Sequence, residues 1–471
     1  MPVLTPKDFK AAIVTFCKLL ITAFTTGAFL YVMFCFYPEA DARIKSLLVF
    51  VFLYLSLFLL LANIYRTFRF GTLRLKELLF AYYLTTFITN FIMYFILGLR
   101  AKGLVPVRPM LIMLIVQWIV GALLYSLTDK LYAYLYPSRR SVVVRSVAGT
   151  EGDIYAKLSR VKNRYTVERV VSESDGFDTI IAAIGDYSTV FLGNVERTLR
   201  RRLIDYCFDH NKRLLMIPTV EDIIFHGAHE TFIDDSPVYL LKNSNMSVEQ
   251  QLIKRIMDIV LSLIGIIITS PLMFVSAAII KLQDGGPVFF RQLRYTRNMK
   301  TFMLLKFRSM VVDAEKNGAR FTTENDERIT PYGYFMRRFR IDELPQFFNI
   351  LKGDMSLVGP RAERVENVER YMALLPEFRY RMKVKAGLTG YAQIYGKYNT
   401  TYEDKLKLDL LYIENCSVVR DLQLLFLTLS VLFIPESTEG YTVETLDEME
   451  AHDRERISAE ADVGADEQRE K

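Results

Sequence analysis

The 471-residue chain has only four cysteines. Cys17 and Cys35 fall in apolar segments, and Cys207 and Cys416 stand alone. That spacing excludes a zinc site built on paired cysteines and a disulfide framework, so the thiols read as reduced and structural. There is no internal repeat, which excludes a solenoid or propeller. No small-residue cleavage site closely follows the first apolar run, so no cleavable signal peptide is expected.

Charge is also missing over long stretches. Leu19 to Tyr37, Ser46 to Tyr65, Leu78 to Leu99 and Pro109 to Thr128 are uncharged. Each is about 20 residues, enough at ~1.5 Å per residue to cross a hydrocarbon core of roughly 30 Å. A hydrophobic fraction of 51% and an aromatic fraction of 13% exceed soluble norms. Arg66, Arg69, Arg74 and Lys76 follow the second run, and Lys130, Arg139, Arg140 and Arg145 follow the fourth. Positive residues mark the cytoplasmic side, so both ends of the bundle are expected inside, with Arg100, Lys102 and Arg108 as a counter-signal on the outer loop. The formal charge of +6 is uneven, with a basic middle and an acidic end. Anionic partners such as phosphates or lipid headgroups are expected, and nucleic acid is not.

From about Ser141 the pattern changes to short β-rich runs, Ser141 to Ser146, Thr166 to Val171, Thr179 to Ile184 and Arg213 to Ile217, with the helix-compatible Asn194 to His210 between them. Such alternation predicts a small α/β domain with a mainly parallel sheet. Gly149-Thr150-Glu151-Gly152 follows the first strand but lacks the G-x-G-x-x-G spacing of a dinucleotide turn.

Ile259 to Ile280 is again uncharged, and Ser270-Pro271 interrupts it. Proline removes a backbone donor and kinks a helix. The basic residues that follow, Arg291, Arg294, Arg297, Lys300, Lys306 and Arg308, resist translocation. The reading is a re-entrant hairpin broken at Ser270 and Pro271, and a kinked spanning helix is the alternative. Farther on, Asp421 to Phe433 is too short to span and suits a helix in the headgroup region.

The densest chemistry is Arg337-Arg338-Phe339-Arg340-Ile341-Asp342-Glu343-Leu344-Pro345-Gln346. The acids and proline fit a helix start. The arginines do not fit one, and an anionic ligand among them would resolve the conflict. Three further clusters accompany it: Lys306-Phe307-Arg308-Ser309-Met310, Gly353-Asp354-Met355-Ser356-Leu357-Val358-Gly359-Pro360-Arg361, and Gly387-Leu388-Thr389-Gly390-Tyr391-Ala392-Gln393. Together they supply the carboxylates, fixed cations and loop donors that phosphoryl transfer uses.

This order of motifs, over about Lys254 to Phe433, resembles the bacterial polyprenyl-phosphate sugar-1-phosphate transferases, the monotopic phosphoglycosyl transferases. Four helices and a Rossmann-like domain ahead of it look like the family's larger members. The implied fold is a membrane protein: an α-helical four-helix transmembrane bundle (residues 1–135), a small α/β Rossmann-like domain (141–245) and a mainly α catalytic domain (250–435) with a re-entrant membrane helix hairpin (256–281). An acidic tail (436–471) is read as disordered. The implied location is the bacterial inner membrane with the catalytic domain cytoplasmic. The resemblance implies Asp342 as nucleophile, Glu343 as ligand of Mg²⁺, and Lys306, Arg308, Arg337, Arg361 and Gln393 as substrate-binding or phosphate-binding residues. It also implies a UDP-sugar donor, an undecaprenyl phosphate acceptor and initiation of exopolysaccharide, capsule or O-antigen synthesis, with a homodimer as an open expectation.

Two segments depart from the family pattern. The usual Arg-x-Gly-x-x-Gly-Lys-x-Phe reads Arg294-Tyr295-Thr296-Arg297-Asn298-Met299-Lys300-Thr301-Phe302, and the common Gly-Arg-Asn reads Gly396-Lys397-Tyr398-Asn399. The alternatives are a nucleotide-sugar oxidoreductase working through the middle domain, and a non-catalytic scaffold of a polysaccharide assembly complex. The sequence does not name the sugar.

Overall fold

A computed structural model describes residues 6–37, 44–146, 164–241, 246–314, 326–396 and 400–431, with the isolated Tyr155 and Leu158. The Gly149–Gly152 turn, Lys397–Asn399 and the acidic tail lie outside the described residues. The chain divides into two compact units, Met1–Ile217 and Pro218–Lys471.

In the first unit, α1 (Pro6–Phe36), α2 (Ile44–Ile64), α3 (Leu75–Ala101) and α4 (Arg108–Leu135) form the expected bundle. Phe34, Phe52, Phe91 and Ile119 face outward, an apolar surface that suits lipid. The interior is partly polar, as it can be where backbone and side-chain groups find partners inside the bundle. Tyr54, Tyr82, Asn90 and Gln117 are buried there. Asn90 Nδ2 donates to Gln117 Oε1 (2.7 Å), Tyr54 OH donates to Asn90 Oδ1 (3.1 Å), and Gln117 Nε2 donates to the Thr25 carbonyl (2.9 Å).

After the bundle, β1 (Arg139–Arg145), β2 (Tyr165–Ser172), β3 (Thr189–Leu192) and β4 (Arg213–Met216) form a parallel sheet in the order β2-β1-β3-β4. The helices α5 (Phe177–Gly185) and α6 (Arg197–Asp209) connect them. One expectation fails: Thr179 to Ile184, read as a strand, lies in α5, and the strand is the later β3. Ile180, Ala183 and Ile184 are the buried residues of that run, a helical spacing that its β-branched composition hid.

The second unit opens with α7 (Val220–His226) and the hairpin β5–β6 (His229–Ile233, Ser236–Leu240). The long helix α8 follows, continuous from Val248 to Asp284 with Pro271 inside it. Without an N–H on Pro271, the Ile267 carbonyl four residues back loses its helical donor. Ser270 Oγ replaces that donor at 2.9 Å. Among the described residues α8 and α1 to α4 are the five helices long and apolar enough to cross a membrane.

The domain around α8 is not wholly helix and loop. An antiparallel hairpin, β7 (Phe289–Tyr295) with β8 (Thr301–Phe307), and a short parallel pair, β9 (Ser356–Val358) with β10 (Gly387–Thr389), carry much of it. The helices α9 (Pro331–Arg338), α10 (Gln346–Lys352), α11 (Val365–Leu374), α12 (Tyr391–Tyr395), α13 (Tyr402–Glu414) and α14 (Val418–Val431) complete it. The β7–β8 turn is left-handed at two non-glycine residues, Asn298 with φ 58° and Met299 with φ 57°, the latter at the position of the pattern's second glycine. Thr296, in place of the first glycine, donates its hydroxyl to the Asp354 carbonyl at 2.9 Å.

Both ends of α8 are held by this domain. Lys254 Nζ meets Asp421 of α14 at 2.5 Å, Arg255 donates to the Ile350 and Leu351 carbonyls of α10 (2.6 and 2.7 Å), and Asp258 Oδ1 accepts from Leu357 N (2.9 Å). At the far end Asp284 takes the Arg308 guanidinium. Asn349 ties α10 to β8, accepting from Leu305 N (2.9 Å) and donating to the Met303 carbonyl (2.8 Å). The two ends of α8 therefore meet neighbouring parts of one structure.

Candidate active site

Asp342 and Glu343 stand in a 3₁₀ turn, Ile341–Glu343, between α9 and α10. The turn is entered through Arg340, whose φ of 53° is left-handed, a conformation that costs a non-glycine residue roughly 1–2 kcal/mol. Ile341 is buried with Met273 and Ile280 of α8, Phe307 and Met336. That apolar anchor leaves the two following carboxylates to turn toward β8. Both are more than nine-tenths buried.

Their neighbours are cations. Lys306 Nζ lies 3.0 Å from Glu343 Oε1 and 4.0 Å from Asp342 Oδ2. Arg361 Nη2 reaches Glu343 Oε1 at 3.0 Å, and Arg340 Nη1 reaches Oε2 at 3.4 Å. Burial would raise Glu343, but Lys306, Arg361 and Arg340 outweigh it and hold this carboxyl well below the usual range. Burial, opposed by Lys306 and reinforced by Glu343, raises Asp342. Burial also lowers Lys306 against the pull of both carboxylates. Two adjacent acids are thus driven apart, the pattern of titratable groups prepared for different tasks.

Arg361 arrives from a second platform. Gly359 N donates to the Thr389 carbonyl and Gly387 N to the Pro360 carbonyl, both at 2.8 Å. A Cβ on Gly387 would lie 2.1 Å from Gly359 N, and one on Gly390 would lie 2.3 Å from the Gly359 carbonyl oxygen. These loops interlock backbone against backbone, a contact only glycine permits. Gln393 follows on α12, buried, with neither amide atom hydrogen-bonded.

Of the residues expected at the site, Asp342, Glu343, Lys306 and Arg361 meet directly. Arg337 Nε donates to Ser309 Oγ at 2.9 Å, and its charge acts on Asp342. Arg308 is engaged elsewhere. Its Nε donates to the Pro287 carbonyl at 2.7 Å and its two Nη atoms to Asp284, holding that carboxyl down at about 2. It fastens the end of α8. Ser270 and Pro271 lie within α8. Sequence reasoning missed Arg340, although it stands inside the motif. It gave no site role to Arg294, which opens the Arg294–Phe302 segment, and it missed Glu363, Arg381 and Asp409, which lie near Arg361 and carry no motif of their own.

Among the described residues no three His, Cys, Asp or Glu side chains form a group able to hold a metal ion. Of the pair, Glu343 is the carboxylate held ionised, the hard oxygen donor that suits Mg²⁺.

A buried carboxylate pair ringed by Lys306, Arg337, Arg340 and Arg361, on a domain that carries a long apolar helix, defines a membrane-associated protein with a strongly charged buried site. The bacterial sugar transferase family model matches residues 249–435. The UDP-glucose:undecaprenyl-phosphate glucose-1-phosphate transferase of Klebsiella pneumoniae is 38% identical over 242 residues, 50% of this chain and 52% of that protein. The UDP-N-acetylgalactosamine-undecaprenyl-phosphate N-acetylgalactosaminephosphotransferase of Aeromonas hydrophila is 43% identical over 183 residues, 38% of this chain and 43% of that one. A Bacillus subtilis (strain 168) protein named for undecaprenyl-phosphate N-acetylgalactosaminyl 1-phosphate transfer is 48% identical over 130 residues, 28% of this chain and 73% of its own length. The chain spans about half the length of the first of these relatives, and it belongs to the bacterial sugar transferase family.

Proposed function

We propose that this chain is a phosphotransferase that moves a sugar-1-phosphate from a UDP-sugar to undecaprenyl phosphate and releases UMP, the first step in building an exopolysaccharide, capsule or O-antigen. The observation that carries the reading is the buried Asp342–Glu343 pair among four cations, inside the segment that matches the family. Relatives whose names give undecaprenyl phosphate as acceptor support it.

Asp342 Oδ attacks the β-phosphorus of the donor. The bond from that phosphorus to the α-phosphate oxygen breaks, UMP leaves with the electron pair, and the sugar phosphate stays on Asp342 as an acyl phosphate. An oxygen of the lipid phosphate then attacks the same phosphorus, and the Asp342 carboxylate departs. Splitting one displacement between two anions into two steps is the gain of covalent catalysis. Arg361 and Lys306 take the phosphate oxygens, moving from carboxylate to phosphate as the donor enters, and Arg337 joins them from Ser309. Glu343, held ionised by its cations, would hold Mg²⁺, which would supply positive charge against the phosphates.

The helix α8 fits this role as a re-entrant element. Lys254 and Asp258 at one end and Asp284 at the other bond to one domain, whereas a crossing would part them by roughly 30 Å of hydrocarbon. Leu263, Ile267, Ile268, Phe274 and Val275 between them are exposed and apolar. Dipping and returning keeps the site at headgroup depth on the cytoplasmic side of the inner membrane, where UDP-sugars are made. The helix α14 lies in the same interface.

Membranes bearing the protein, supplied with UDP-sugars, Mg²⁺ and undecaprenyl phosphate, are expected to release UMP. Release of UDP would mean ordinary glycosyl transfer and sink the proposal. Asp342→Asn removes turnover and the sugar-phosphate adduct, and an adduct mapped by mass spectrometry to another residue would displace Asp342 as nucleophile.

A further inference from the structure

Behind Arg361 lies a buried ion pair that touches no part of the Asp342–Glu343 turn. Arg381 Nε meets Asp409 Oδ2 of α13 at 2.6 Å, and both residues are almost wholly buried. Arg381 has a second bond: its Nη2 donates to the main-chain carbonyl of Arg361 at 3.1 Å. Arg294 Nη1 donates to the next carbonyl, Ala362, at 3.0 Å. Together with the ladder bonds of Gly359 N and the Pro360 carbonyl, a backbone group is tied at each of four consecutive residues, Gly359 to Ala362. Glu363 follows among Lys405, Arg381, Arg294 and Arg361, whose charges overcome its burial and hold it down to about 2.

A buried ion pair is a weak device for stability, because apolar residues of similar volume often serve as well. It is a good device for fixing a direction, since a guanidinium bonds in a set plane. We propose that Arg381 and Asp409 are positioning residues that aim Arg361 at the diphosphate of the donor. The inference rests on the reading of Arg361 as a phosphate ligand. The line of contact runs from Asp409 through Arg381 to the Arg361 carbonyl, and from the Arg361 guanidinium to Glu343 Oε1 at 3.0 Å. Asp409 Oδ1 has no hydrogen-bond partner, so one carboxylate oxygen is committed to Arg381.

The test is a double-mutant cycle on the detergent-purified full chain, combining Asp409→Asn with Arg361→Ala and reading UDP affinity by calorimetry beside UMP release. Asp409→Asn is expected to weaken UDP binding about tenfold, the effect of one charge-assisted hydrogen bond. In the Arg361→Ala background the same change is expected to add less than about twofold, because residues acting through one another are not additive. Equal effects in both backgrounds would show that the pair supports the fold at large and would overturn the proposal. The paired change Arg381→Met with Asp409→Leu guards against simple misfolding. It should recover the melting temperature and leave UDP affinity reduced, whereas recovery of both refutes positioning. Coupling in UDP affinity without UMP release from the wild-type chain would count against the reaction and leave the positioning role standing. A wild-type chain that binds no UDP would overturn it.

Discussion

Replacing Gly387 with alanine tests whether the interlocked loops place Arg361. The new Cβ would sit 2.1 Å from Gly359 N and 2.6 Å from Gly359 Cα. Ordinary contact begins near 3.4 Å, so one strand must retreat by about 1.3 Å. Neither neighbour is the tip of a flexible side chain. Gly359 stands two residues before Arg361, and the retreat is carried to the guanidinium. A misplacement of ~1 Å at a catalytic group costs on the order of 10²-fold in rate, while overpacking of this kind costs roughly 1–3 kcal/mol of stability. Gly387→Ala is therefore expected to fold, melt somewhat earlier and release UMP about 10²-fold more slowly. Gly185→Ala, where nothing lies within 4 Å, is the control and keeps the wild-type rate. Wild-type turnover in Gly387→Ala would refute the argument, because Arg361 would then be placed by something other than this contact.

Three more expectations follow from the site and its supports. The reactive form of Asp342 is the carboxylate and its pKa is raised, so kcat/KM should fall on acidification at a pH above that of an ordinary aspartate. Lys306 is the leading influence holding Asp342 down, so Lys306→Met moves that acid limb to higher pH, and a limb that moves lower contradicts the assignment. Chelation of divalent cations is expected to stop UMP release and Mg²⁺ to restore it, and unchanged turnover in EDTA would exclude Glu343 as a metal ligand. Met299→Gly relieves a left-handed side chain at a cost in unfolded-state entropy, for a net gain of about 0.5 kcal/mol. A lower melting temperature would show that the Met299 side chain stabilises the β7–β8 turn.

What the sequence disclosed depended on whether a feature is local. The four apolar runs announced α1 to α4 because uncharged length suffices for that reading. The strand reading of Thr179 to Ile184 failed because Ile-rich stretches suit both structures and only the burial of Ile180, Ala183 and Ile184 separates them. Asp342 and Glu343 were legible as an anomaly beside arginines. Arg308 was not, since no spacing reveals that Asp284 takes its guanidinium. The Arg381–Asp409 pair joins residues far apart in the chain, and only the fold brings them together. The missing glycines of Arg294 to Phe302 could not show the backbone there, because Asn298 and Met299 adopt left-handed conformations as non-glycine residues.

The hydrogen bonds inside the bundle bear on how the protein is assembled. Gln117 sits on α4, the last of the four helices, and it reaches the other three: Thr25 on α1, Tyr54 on α2 and Asn90 on α3. Its own carbonyl accepts from Tyr82 OH at 3.2 Å. Until α4 enters the bilayer, these groups face hydrocarbon or one another with a partner missing, a state that lipid penalises. Closure of the bundle is thus timed to the arrival of its final segment. A nascent chain stopped short of Gln117 would leave an unfinished polar seam among its first three helices.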